Sequence, residues 1–214
     1  DAQNKHLTEN ITWADNRSSR YADLIENEYN GFEIYQRTGT PLHPMSPLSK
    51  IFWMKHEQPA IYNQTAKFAD IKTYIFYQLF DKYVIDYSMA SATGMFNLEQ
   101  LDWDEKALKL LGISRDQLPE LVPTTHILTG MKKRFAELMD IDENTPVVVG
   151  ASDGVLSNLG VNSYKKGEVA VTIGTSGAIR TVINKPRTDY KGRIFCYVLD
   201  LSLIHISEPT RPLY

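Results

Sequence analysis

The strongest constraint on this chain is a change of hydrophobic period at Pro146. Upstream, apolar residues recur at helical intervals. Downstream, β-branched residues run together or alternate between glycine-rich turns. The junction is VVVGASDGVLSNLG, from Val147 to Gly160. Its three valines read as a buried strand, followed by a turn of small residues carrying one carboxylate, Asp153, and then an apolar run with helical spacing. Such an acid has two readings. Asp153 caps the following helix, for which Asp is among the best residues, or it is a base held within reach of a substrate proton. Taken by itself, the stretch favours the cap.

The helical part carries its own punctuation. SSRYADLIENEY puts Tyr21, Leu24, Ile25 and Tyr29 at helical intervals. In SPLSKIFWMKHE, Ser46 offers an N-cap oxygen and Pro47 suits the first helical position. Asp70 is placed to cap IKTYIFYQLF, Ser114 and Gln117 have capping-box spacing, and DEKALKLLGI ends at Gly112. MKKRFAELM reads as an amphipathic surface helix, and ENITWAD near the start looks like a strand. Beyond Asp153, GEVAVTIGTSGAIRTVIN reads as a β-hairpin with Val169, Val171 and Ile173 alternating before the turn, and GRIFCYVL as a further strand. The organisation is therefore α/β, with a domain boundary between Gly154 and Lys166.

Composition excludes several classes. The 214 residues suffice for one large domain or parts of two. A formal charge of -3 gives no electrostatic reason for a nucleic-acid or anionic-membrane partner. The single cysteine, Cys196, cannot form an intramolecular disulfide and fits a reducing compartment. No apolar run approaches the ~20 residues of a membrane-spanning helix. No His or Cys spacing suits a zinc site, so no structural metal is expected.

Two further groups of residues bear on chemistry. GTSG, Gly174, Thr175, Ser176 and Gly177, has the glycines and hydroxyls of a turn that cradles phosphate oxygens. It is equally a sound tight turn between strands. ITWADNRSS sets Trp13, an apolar plate, beside Asp15, Asn16 and Arg17, a combination suited to a polyhydroxylated ligand or to a core tryptophan beside a polar turn. Lys50 and Trp53 stand one turn apart on their helix, with Trp53 read as core. An acid at a strand end followed by a phosphate-type turn is what a kinase needs: a base and a phosphate cradle.

Together these motifs carry a resemblance. MSPLSKIFWMKHE, from Met45 to Glu57, resembles the first signature of the FGGY family of carbohydrate kinases, with His56 departing from the usual set. ITWADNRS, DYSMASATGMFN, LDWD, the GASDG turn and TIGTSG follow the order of that family over residues 1–200. Within it, ATGMFNLEQLDWDEKAL and VVVGASDGVLSNLGVN most resemble kinases acting on gluconate, with xylulose or glycerol as alternative substrates. The resemblance implies the actin/hexokinase/Hsp70-like (ribonuclease H-like) two-domain fold, present only in part, with a cleft between domains. It implies ATP and magnesium, with Asp153 as the base for the sugar hydroxyl and magnesium nearby. It also implies phosphate binding by Gly174, Thr175, Ser176 and Gly177, and a sugar-side role for Trp13 with Asp15. Arg17 suits a sugar-acid carboxylate, because a guanidinium grips one with two hydrogen bonds; a surface salt bridge is the alternative. A cytoplasmic protein is expected, with a homodimer possible. A non-catalytic nucleotide or sugar binder of the same fold is the rival reading.

Residues 1–157 are expected to be the remainder of an N-terminal sugar-binding domain, and 158–200 the start of a nucleotide-binding domain. The first phosphate loop and the adenosine-binding glycines of the family are missing, so the chain is expected to be an inactive fragment. LSLIHISEPTR is what a transposase-type sequencing adapter encodes in frame, and 201–214 are therefore expected not to be native.

Overall fold

A computed structural model describes residues 1–165, 167–173 and 177–199, together with the backbone of 200 and 203–210. A helical layer comes first: α1 (Ser19–Glu28), α2 (Gly31–Thr38), α3 (Pro47–Glu57), α4 (Pro59–Gln64) and α5 (Ile71–Phe80). Short elements follow: β1 (Val84–Asp86), α6 (Tyr87–Ser91), β2 (Phe96–Asn97), β3 (Asp102–Trp103), α7 (Glu105–Leu111), β4 (Glu120–Val122), β5 (Ile127–Leu128), α8 (Lys133–Met139), β6 (Val147–Val148) and α9 (Asp153–Gly160). The chain closes with β7 (Val169–Ile173), β8 (Gly177–Ile183), β9 (Phe195–Asp200) and β10 (Leu203–Thr210).

Capping side chains fix these boundaries. The Asp70 carboxylate accepts the Lys72 and Thr73 amides at 2.7 and 3.0 Å, starting α5. Asp104 accepts the Ala107 amide at 2.9 Å at the start of α7, which ends on Gly112 in the left-handed region at φ +76°. Gln117 returns its side-chain oxygen to the Ser114 amide at 3.0 Å, the expected capping contact, here on a single 3₁₀ turn. Ser46 does stand at the N-cap of α3, but its hydroxyl pairs with that of Ser49 at 3.3 Å instead of with a helix amide.

The main core gathers Ile25, Leu48, Phe52, Phe96, Trp103, Leu108 and Leu111 from α1, α3, α7 and the β2–β3 ribbon. Cys196 and Val198 of β9 belong to it as well, so the last sheet docks on the helical layer. A smaller core joins Phe76, Phe80, Val84, Val122, Leu128, Met131 and Val149. β1 and β4 pair in parallel, β5 and β6 antiparallel, and the larger sheet runs β7-β8-β10-β9.

Two expectations change. ENITWAD forms no strand: Thr12 to Asp15 bend into a turn, and the carbonyls of Thr12 and Asp15 are taken by the Lys50 ammonium. The Val147 strand is short and superficial. It has β5 alone as neighbour, Val148 is 55% exposed, and only Val149 is buried. The segment set apart as adapter-encoded has a strand backbone, β10, antiparallel to both β8 and β9. Its alternation of Ile204 and Ile206 with His205 and Ser207 has the period of a strand, which any open sheet edge can accept. Residues 201, 202 and 211–214 lie outside the described residues.

Candidate active site

The acid of the junction stands at the first position of α9, with Ser152 as the N-cap residue. The chain reaches it through Gly150, whose φ of +74° is a conformation that glycine adopts without penalty. Asp153 is exposed, and its Oδ1 accepts the Gly154 amide at 2.6 Å. Oδ2 has no partner among the described residues. Asp153 thus makes only a local contact of its own: the N-cap position expected for it belongs to Ser152, and Asp153 is an exposed acid in the first turn.

The turn before it is held from below. The Ser152 amide donates to the Ser88 hydroxyl oxygen at 2.8 Å. That hydroxyl in turn donates to Asp86, a fully buried carboxylate at the end of β1 that also caps α6 through the Ser88 and Met89 amides. Lys72, on α5, forms an ion pair with Asp86 and reaches the Gly150 carbonyl at 3.5 Å. At the other end of α6, Ser91 mirrors Ser88. Its hydroxyl donates to the Ser88 carbonyl at 3.0 Å and accepts the Val198 amide of β9 at 3.0 Å.

The sheet comes close to α9 beside Asp153. A Cβ at Gly154 would stand 3.7 Å from Nε of Arg180, whose Nη1 donates to Thr172 at 2.8 Å. Burial pushes the Tyr197 hydroxyl well above the usual phenol range, with the Arg180 charge opposing and the Asp153 charge adding to that push. Asp153, Arg180 and Tyr197 therefore share one neighbourhood. Arg180 lies on the strand that begins at Gly177. Of the phosphate-type turn, Gly177 pairs with Ile173 as the first residue of β8; Gly174, Thr175 and Ser176 lie outside the described residues.

A second group surrounds the 12–17 loop. Trp13 is 75% exposed, which disposes of the core reading. Asp15 and Arg17 pair with each other: Nε lies 2.9 Å from each carboxylate oxygen and Nη2 lies 2.7 Å from Oδ2. The guanidinium also lies 5.1 Å over the Trp53 ring. The Arg17 hydrogen bonds hold the Asp15 carboxyl below its ordinary range, against a small opposing effect of burial. Lys50 pins the loop from beneath through the Thr12 and Asp15 carbonyls, and burial lowers its pKa. One turn of α3 thus supplies both the pin, Lys50, and the plate under Arg17, Trp53. Among the described residues no hydrogen bond or ion pair joins this group to Asp153.

Sequence reasoning missed Lys72, Asp86, Ser88 and Arg180. The Asp-x-Ser spacing at 86–88, typical of a helix start, was the available signal for the first contact. Arg180 left none, because its relation to Gly154 is purely tertiary.

The profile of the N-terminal domain of the FGGY family of carbohydrate kinases matches residues 1–160. The chain belongs to the FGGY family of carbohydrate kinases. It is 62% identical over 199 residues to a gluconokinase of Bacillus subtilis (strain 168), a match covering 93% of this chain and 39% of that protein. A gluconokinase of Bacillus licheniformis is 60% identical over 199 residues, again 93% of this chain and 39% of the relative. The crystal structure of a gluconate kinase from Lactobacillus acidophilus superposes with a TM-score of 0.95 at 37% identity, over 97% of this chain and 42% of that one. The architecture is accordingly that of FGGY kinases, the actin/hexokinase-like fold, represented here by its N-terminal part. This FGGY chain spans well under half the length of the relatives it matches.

Proposed function

We propose that the intact protein carrying this segment transfers the γ-phosphoryl group of ATP to D-gluconate, forming 6-phosphogluconate. The observation that carries this reading is Asp153: exposed at the start of α9, with one carboxylate oxygen unengaged among the described residues, next to Gly154, which lies close to Arg180 of β8. The match to gluconokinases at 62% identity supports the choice of substrate.

In this reading the terminal hydroxyl of the sugar acid donates to Oδ2 of Asp153. As the new oxygen–phosphorus bond forms, that proton passes to the carboxylate, and the bond to the departing ADP breaks. Gly174, Thr175, Ser176 and Gly177 are the proposed cradle for the phosphate oxygens. Magnesium supplies charge neutralisation when bound. Kinases hold it through phosphates and one or two carboxylates, and the exposed Asp153 is the carboxylate that would take that part here.

On the sugar side, Trp13 is the apolar plate and Asp15 accepts hydroxyls. Arg17 has one face of its guanidinium, Nε with Nη2, committed to Asp15. A guanidinium has five N–H donors, so its end, Nη1 with the second Nη2 hydrogen, remains for the carboxylate of the acid.

The proposed boundary keeps residues 1–157 in the sugar-binding domain and assigns 158–200 to the nucleotide-binding one, supported by the family match ending at residue 160 and the sheet beginning at Val169. Residues 201–214 are read as adapter-encoded. Among the described residues no helix is long and apolar enough to cross a membrane. A cytoplasmic enzyme, with a homodimer as its assembly, is part of the same reading.

The test is Asp153→Ala in the intact protein. Gluconate-dependent ADP release is expected to fall by about 10²–10⁴-fold with an unchanged unfolding midpoint. Near-normal turnover would overturn the reading. Xylulose and glycerol in the same assay report on the substrate, and ADP release with either but not with gluconate would replace the sugar acid.

A further inference from the structure

We infer that Lys72, Asp86 and Ser88 are positioning residues for the base, acting through the backbone immediately before Asp153. The inference rests on the proposed role of Asp153.

An exposed carboxylate whose own hydrogen bond is to the next amide has no side-chain partner to aim it. Its direction is set by where its Cα stands. Two of the three residues before Asp153 are held by groups from elsewhere in the fold: the Gly150 carbonyl by the Lys72 ammonium at 3.5 Å, and the Ser152 amide by the Ser88 hydroxyl at 2.8 Å. Both holders converge on Asp86, fully buried, which pairs with Lys72 through Oδ2 and with the Ser88 hydroxyl and amide through Oδ1. The carboxylate orients the serine. Because Oδ1 takes the hydroxyl proton, the serine oxygen faces the Ser152 amide as an acceptor.

Capping α6 needs only the amide contacts of Asp86, and neutralising that buried carboxylate needs only the Lys72 ion pair. The further reach of Lys72 to the Gly150 carbonyl and the outward serine contact go beyond both requirements, and both end on the turn that carries the base. A displacement of about 1 Å at a reacting group costs on the order of 10²-fold in rate. A device that fixes two points beside Asp153 therefore acts on kcat and leaves substrate affinity alone.

The experiment compares Ser88→Ala, Asp153→Asn and the double variant in the intact protein, reading kcat and both KM values. Ser88→Ala is expected to lower kcat at least tenfold with KM for gluconate and ATP within twofold. In the Asp153→Asn background it is expected to add nothing. Hydrogen exchange at the Ser152 amide should speed up while that at Val149 does not. Lys72→Met would leave the buried Asp86 carboxylate without its cation, so the conservative variant is the second test: Lys72→Arg, which keeps the charge, should fold with kcat close to that of the parent, and Lys72→Met, read beside its unfolding midpoint, should lower kcat. Losses that multiply in the double variant, or a Ser88→Ala enzyme with normal kcat, would overturn the positioning role. Retained turnover in Asp153→Asn alone would instead overturn the assignment of the base.

Discussion

The Lys50 ammonium donates to the Asp15 carbonyl at 3.3 Å from a residue only 7% exposed, and it also takes the Thr12 carbonyl. A buried cation is spent on two backbone oxygens, and the loop carrying Trp13, Asp15 and Arg17 is held in one shape as a result. Lys50→Met keeps the apolar stem and removes the donor. Trp13 fluorescence anisotropy should fall, and in the intact protein KM for the sugar acid should rise about tenfold, the equivalent of one charged hydrogen bond. An unchanged KM would separate the pin from substrate binding.

Asp189 ties the β8–β9 connection to α2. Burial disfavours its charge, but the Arg193 amide, the Tyr35 hydroxyl and the Arg193 guanidinium outweigh that and draw the carboxyl down to about 2. The folded value lies below the ordinary 3.8, so its stabilisation is complete above 3.8 and disappears as pH falls towards 2. Urea titrations at several acidic pH values should show the gap between the parent chain and Asp189→Asn closing across that window. A gap independent of pH would rule the carboxylate out as its source.

Gly39 ends α2 at φ +67°, where a Cβ would stand 2.5 Å from Leu98 Cδ1 and 2.8 Å from Cys196 Cβ. Its carbonyl accepts the Cys196 amide at 2.9 Å. Gly39→Ala should push β9 off the helical layer, at a cost of about 1–3 kcal/mol. The Cys196 thiol, fully buried and pushed up by burial to about 11, should resist alkylation in the parent and react at least tenfold faster in the variant. Equal alkylation rates would show that the strand stays docked.

Val169, Val171 and Ile173 are 54%, 59% and 88% exposed on β7, which ends the described sheet. An apolar strand at a sheet edge is a template for another chain. The 214-residue chain should therefore self-associate as its concentration rises, and Val171→Lys with Ile173→Lys should reduce light scattering while changing stability by no more than about 0.5 kcal/mol. Scattering that persists in the double variant would move the contact elsewhere.

Local signals were legible and tertiary ones were not. Asp70 and Gly112 act through residues a few positions away, so spacing alone located those helix ends. The β7–β8 hairpin was equally readable, from alternation and a glycine turn. ENITWAD was not, because a lysine from α3 takes carbonyls that a neighbouring strand would otherwise pair. Nor was the isolation of the Val147 strand, since three valines look alike whether one or two neighbours flank them. At the candidate site, Asp153 and the Trp13 loop were visible as residue types. The Arg17–Asp15 pairing and the support under Ser152 depend on which side chains fold back, and no spacing rule encodes that.

Helix α6 is five residues long, and its two serines face different neighbours with the same grammar. Ser88 accepts from the turn before the base, and Ser91 accepts from the sheet that contains the GTSG hairpin. One helical turn therefore works as a spacer gauge between the two halves of the proposed chemistry. Its length is set by covalent geometry and i,i+3 bonding rather than by loop conformation. Inserting or deleting a single residue in it would rotate one contact away from the other by about 100°, leaving each half intact and the pair out of register.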